Sequence, residues 1–250
     1  MSFDELMTQA RFPRSQAYDP MWMIDHSMGP NAVWLTESLC EHMDLKPGMR
    51  VLDLGCGKAM TSIFLAREFG VTVFATDLWI KPSENQERIE EAGLADRVFP
   101  IYAEAHALPY ADNFFDAIVS VDAYQYFGTS DLYLGVYLAK LVKPGGQIGI
   151  VVPSLNKEMP LPVPPHFETF WDPKECGCFH QAEWWRAHLE KTQTVDVEYC
   201  AKIEDSWRHW RDYEQAKKLV DKQMFPDELV TLEADQGEYL TLVELVARRK

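Results

Sequence analysis

The sequence predicts an α/β fold, a mostly parallel sheet with helices on both faces, and two observations lead there. Residues 49–79, MRVLDLGCGKAMTSIFLAREFGVTVFATDLW, read as apolar strand, glycine turn, amphipathic helix and second apolar strand, the unit from which parallel sheets are built. Further strand and helix patterns then alternate as far as Val152, and 47% hydrophobic residues over 250 suffice for one large core.

Before the first strand, residues 18–23 (Tyr, Asp, Pro, Met, Trp, Met) are rich in aromatic and sulfur side chains. A helix is expected over 31–43, started by Gly29-Pro30-Asn31. This leader either packs on the sheet edge or covers a pocket, with Tyr18 or Trp22 reaching into it. The first strand, 51–54, ends at Gly55 and Gly57, which let a ligand approach the backbone without a Cβ in the way. The helix opening near Lys58 and Ala59 presents free N–H groups suited to a carboxylate or phosphate. The second strand, 71–75, closes on Asp77, whose carboxylate can accept from both hydroxyls of a ribose. Together these make an adenosine-binding half-site.

A charged helix follows at 82–92, stopped by Gly93, and then a loop and short third strand over 94–101. The fourth strand is 115–121, with Asp116 at its start as a loop anchor. A helix at 131–143 leads through the Lys143-Pro-Gly-Gly146 turn into the fifth strand, 147–152. Five prolines between 153 and 165 exclude strand or helix interior, so a stiff aromatic loop is expected, covering the substrate. The remainder reads as helix (181–191), strand (194–203), helix (206–220) and strand (238–247).

A dinucleotide fingerprint would need a third glycine where Met60 stands, and Asp53 would repel a diphosphate. The wording D-x-G-C-G (Asp53, Gly55, Gly57) instead resembles motif I of the class I S-adenosylmethionine-dependent methyltransferases, small-molecule type. The stretch 102–128 resembles that family's second signature, with Glu104 where family members usually carry Asp. The resemblance covers roughly 45–153. It implies a Rossmann-like fold: seven strands, mostly parallel, with an antiparallel final strand and a lid insertion. It also implies S-adenosylmethionine as cofactor and S-adenosylhomocysteine as product. The cofactor would be held by Asp53, Gly55, Gly57, Asp77, Leu78, Glu104, Ala105 and Val121. The chain is then one domain over 1–250: a helical cap (1–47), a cofactor-binding core (48–152), a substrate cover (153–180), and C-terminal helices with a strand pair (181–250).

Methyl transfer from a sulfonium needs close approach and alignment, and a base only where the acceptor loses a proton. Catalytic candidates are Asp122, Tyr124 and His166, with His106 and His180 as further bases; Tyr124 and Tyr126, by strand alternation, are expected on one side. Cys176, Cys178 and His180 lack the spacing and fourth ligand of a metal site, so none is expected. Lys plus Arg 24 against Asp plus Glu 39 gives a net charge of −15, which opposes nucleic acid and anionic membrane surfaces. The start MSFDELMTQA lacks the features of a leader, and five scattered cysteines fit a reducing, cytoplasmic setting. The expected partner is a small-molecule substrate, for a monomer or homodimer. A protein or tRNA methyltransferase and an inactive regulatory relative are the alternatives. The aromatic set Trp22, Tyr124, Tyr126, Phe167, Phe170 and Trp171 is expected to enclose an apolar pocket.

Overall fold

A computed structural model describes residues 1–174 and 176–250. Its sheet has seven strands: β1 (Arg50–Leu54), β2 (Thr72–Asp77), β3 (Val98–Tyr102), β4 (Phe115–Val121), β5 (Val142–Leu155), β6 (Val195–Lys202) and β7 (Leu240–Arg249). The order across the sheet is β3-β2-β1-β4-β5-β7-β6. The first five strands are parallel, and β7 pairs antiparallel with both β5 and β6. The strand order reverses between β1 and β4, so their carboxyl ends open a crevice where a ligand can sit.

The helices are α1 (Phe3–Met7), α2 (Pro20–Asp25), α3 (Ala32–Cys40), α4 (Met60–Phe69), α5 (Pro82–Glu91), α6 (Ala139–Leu141), α7 (Ala182–Glu190), α8 (Ser206–Leu219) and α9 (Pro226–Asp235). A π-helical turn, Tyr133–Leu138, runs straight into α6. Alternate strand residues feed the two faces of the sheet. Val51, Val73 and Val119 pack with Leu39 of α3 and Leu65 of α4. On the opposite face, Leu52, Ile118 and Leu245 pack with Leu138, and with Trp185 and Leu189 of α7. A third apolar cluster, with Leu6, Phe12, Trp34, Phe64 and Tyr213, clamps the first forty residues onto α4 and α8.

Two expectations need correction. Pro153 lies inside β5, opposite Leu242 of β7. The pairing of β4 with β5 ends at Val121 and Val151, so at Pro153 one side of the strand is open and no ladder partner is lost by the missing N–H. Tyr124 and Tyr126 do not share a side: β4 stops at Val121 and a 3₁₀ turn, Tyr124–Tyr126, buries the first and exposes the second. The period of two ended with the strand. Asp116 is the loop anchor expected, accepting from the Arg50 amide at 2.7 Å and pairing with Lys143. The α1, α2 and α9 helices were not foreseen, being short or started by proline in polar sequence. Among the described residues, no helix is long and apolar enough to cross a membrane.

Candidate active site

A cavity of about 330 Å³ lies at the carboxyl ends of β1, β2 and β4. Gly55 and Gly57 form its floor, with φ of 77° and 52°, where a side chain is strained. A Cβ on Gly55 would lie 2.3 Å from the Ala123 Cβ, and one on Gly57 would meet Met28 Sδ at 2.8 Å. The turn therefore needs glycine twice over. Thr61, in the first turn of α4, lines the cavity with Met60, and the N–H groups at a helix start have no partner within the helix.

Asp77 ties this floor together. One carboxylate oxygen accepts from the Gly57 amide at 2.8 Å, the other from Trp79 and Ile80 at 2.7 and 2.9 Å. Each oxygen has two lone pairs, so Oδ2 keeps one for a ligand. Glu104 lies at the mouth beside His106, whose amide and Nδ1 sit 2.9 and 2.7 Å from its two oxygens. That contact holds the Glu104 carboxyl below its usual range. Leu78, Trp79 and Tyr126 form an exposed apolar rim, with the Trp79 and Tyr126 rings 6.3 Å apart.

On the other side is Asp122, in the left-handed conformation with φ of 54°. Burial pushes its carboxyl up to about 7, against the pull of the Gln125 amide (3.3 Å) and the Lys217 charge. The residue is partly accessible and lines the cavity. A desolvated carboxyl that ionises near neutrality is suited to taking a proton.

Of the sequence candidates, Gly55, Gly57, Asp77, Leu78, Glu104, Ala105, Val121 and Asp122 all line this cavity, and so does His106. Asp53, Tyr124, His166 and His180 do not. Asp53 is 1% exposed behind the glycine turn and accepts from Ser62 Oγ at 2.5 Å, joining β1 to α4. Burial pushes it up to about 7, which keeps a proton on it through the acidic range. Tyr124 is fully buried against Trp185 and Tyr133, and burial pushes its hydroxyl up. The His166 ring lies 3.5 Å from Asp235, on the cover rather than at the crevice.

The enclosed aromatic pocket does not form. Of the six aromatics expected in it, Tyr126 alone lines the cavity. Phe167 is fully buried, packed with Trp171 and Tyr239. The Tyr18 ring lies tilted against Trp22 and Phe64, with centroids 5.9 and 5.6 Å away. The leader contributes instead through His26, Met28, Gly29 and Pro30, which sequence reasoning missed. The available signal was Gly29-Pro30, read only as a helix start.

Residues 51–146 match a family model described as a methyltransferase domain. The methyltransferase GfsG of Streptomyces halstedii is 36% identical over 121 residues, 46% of this chain and 42% of that protein. The demethylmenaquinone methyltransferase of Corynebacterium efficiens is 30% identical over 146 residues, 58% of this chain and 56% of that one. The matched region thus spans about half the length of these curated relatives. Among solved structures, the [4+2]-cyclase SpnF superposes with a TM-score of 0.70 at 18% identity, over 94% of both chains. A likeness at that identity carries the fold alone, and a cyclase on the same fold shows that architecture does not set the reaction.

Proposed function

Since the chain carries a class I S-adenosylmethionine-dependent methyltransferase domain, we propose that it transfers a methyl group to a small organic acceptor, with Asp122 receiving any proton the acceptor must lose. The observation that carries this reading is the juxtaposition in one cavity of the glycine floor and a desolvated carboxylate.

The residues fit the cofactor. The floor that a Cβ would fill at Gly55 and Gly57 leaves room for close backbone approach. The start of α4 would hold the methionine carboxylate. Asp77 Oδ2 would accept from a ribose hydroxyl, and Glu104 with Ala105 would hold the adenine amine. Leu78 and Val121 would pack against its apolar faces. When bound, S-adenosylmethionine supplies a methyl already activated on a sulfonium, so no covalent nucleophile is required of the protein. What remains for this chain is alignment, worth roughly 7–11 kcal/mol in favourable cases, and proton removal by Asp122. Tyr124 and His166 have no part in this reading, because neither reaches the cavity.

Charge favours a small acceptor that is not a polyanion. Asp77, Glu104 and Asp122 line the cavity against Lys58, whose ammonium donates to the Asp25 carbonyl at 3.0 Å. The name of one curated relative, a demethylmenaquinone methyltransferase, supports the same class. In this reading the leader acts as a cap and residues 153–180 as a cover packed on the core. Labelled S-adenosylmethionine incubated with cell extract, then split into small-molecule, protein and nucleic-acid fractions, tests the class. Label is expected in the small-molecule fraction; label concentrated in protein or nucleic acid would overturn it.

A further inference from the structure

Beneath the cap, four ionisable side chains from three elements converge: Asp122 after β4, Glu214 and Lys217 on α8, and Glu228 on α9. Lys217 and Glu214 are 1% and 0% exposed and form an ion pair. Apart from that ion pair, neither Glu214 oxygen nor Glu228 Oε2 has a donor outside the cluster among the described residues. The two carboxyls instead face each other in hydrogen-bond contact. Burial raises the proton affinity of both carboxyls, repulsion from Glu214 raises that of Glu228 further, and the Lys217 charge opposes both shifts.

Lys217 also reaches the active-site side. Its Nζ lies 3.4 Å from Ser27 Oγ and 3.4 Å from the Gly29 carbonyl oxygen. Gly29 in turn packs so tightly on Asp122 that a Cβ there would lie 2.3 Å from Oδ2. The ammonium thus holds the turn that presses on the carboxylate. The charged and titratable neighbours of Asp122 are Lys217 from α8, Glu228 from α9 and the Cys178 thiol from the cover, with the Gln125 amide on its own turn.

The geometry points to Lys217 as a positioning residue for Asp122: it pins Ser27–Gly29 against that carboxylate and, with Glu214 and Glu228 behind it, sets the charge the carboxylate faces. This inference rests on the reading of Asp122 as the proton acceptor. A positive charge behind a buried carboxylate favours its ionised form, whereas burial alone would leave it protonated above neutrality.

The test needs no acceptor. Carbon-13 NMR of aspartate-labelled protein, with the Asp122 resonance identified by its loss in Asp122→Asn, gives the midpoint of its titration directly. Lys217→Met is expected to raise the proton affinity of Asp122 by about tenfold or more. Glu214→Gln, which removes an opposing negative charge, is expected to lower it, and Lys217→Arg to leave it near the wild-type value. If Lys217 only braced the cap, loosening it would hydrate Asp122 and lower its midpoint in every variant. Because Lys217→Met leaves Glu214 buried without its partner, the double variant Glu214→Gln/Lys217→Met serves as a folded alternative, with a midpoint expected above that of Glu214→Gln alone. A midpoint at or below wild type in Lys217→Met, or at or below Glu214→Gln in the double variant, overturns the inference. Wild-type methyl transfer by Asp122→Asn would instead overturn the reading of Asp122 as base, and the midpoints tell the two failures apart.

Discussion

The two halves of the crevice are built by different means. On the β1–β2 side, the glycine turn, Asp77 and the start of α4 lie within 25 residues of one another, and two glycines form the floor. On the β4 side, Asp122 is enclosed by Gly29 from the leader and faced by Lys217 and Glu228 from the last quarter of the chain. The first half is a local motif that fixes its own shape. The second is a meeting of distant segments, whose side-chain chemistry depends on burial. A glycine floor tolerates little change in φ or volume; a buried carboxylate tolerates little change in charge.

That contrast is sharpest in Asp122→Asn. The amide is nearly the same size but cannot take a proton, so methyl transfer is expected to fall by roughly 10²–10⁴-fold. Affinity for S-adenosylhomocysteine, measured by calorimetric titration, should stay within about twofold, the scale of a small binding change. In the wild type the rate is expected to rise with pH through about 7, as the carboxyl ionises, and to level above it. The variant should lack that limb. Equal losses of binding and turnover would erase the distinction between the halves.

The opposite pattern is expected of Gly55→Ala. The new methyl must displace Ala123 and hold a φ of 77°, so the floor shifts. Affinity for S-adenosylhomocysteine should fall by about 100-fold, or about 2.7 kcal/mol. The midpoint of the Asp122 titration should move less than in a charge variant, since Ala123 shifts but no charge is altered. Unchanged cofactor affinity would show that the glycine turn is only a turn.

The same division decided what could be read in advance. The parallel core and the antiparallel ending follow from apolar runs between turn signals and from motif resemblance, both local properties of the chain. Gly55, Gly57 and Asp77 were legible as a glycine turn and a strand-end acid, and a hydrogen bond joins Gly57 to Asp77. Aromatic content misled, because Phe167 and Trp171 look alike in sequence whether they line a cavity or fill a core, and here they fill a core. Tyr124 was misplaced because a strand gave way to a 3₁₀ turn within two residues. Gly29 and Lys217 were silent, since nothing local tells that a glycine 93 residues before Asp122, or a lysine 95 residues after it, will lie beside it.

The smallest effect tests the cover. Phe170 is half-buried, 6.3 Å from the Phe167 ring and packed against the main core rather than on the cavity. Truncating a partly buried aromatic removes less contact than emptying a core position, so Phe170→Ala is expected to cost about 1–2 kcal/mol of stability, read as a lower Tm or denaturation midpoint. Because the cover is packing rather than pocket wall, S-adenosylhomocysteine affinity, and KM for whichever acceptor the labelling experiment yields, should both stay within about twofold. A several-fold rise in KM with unchanged Tm would mean that the cover swings over the crevice and that Phe170 touches the acceptor. The β4 half would then extend across residues 153–180, as the aromatic content of that segment first suggested.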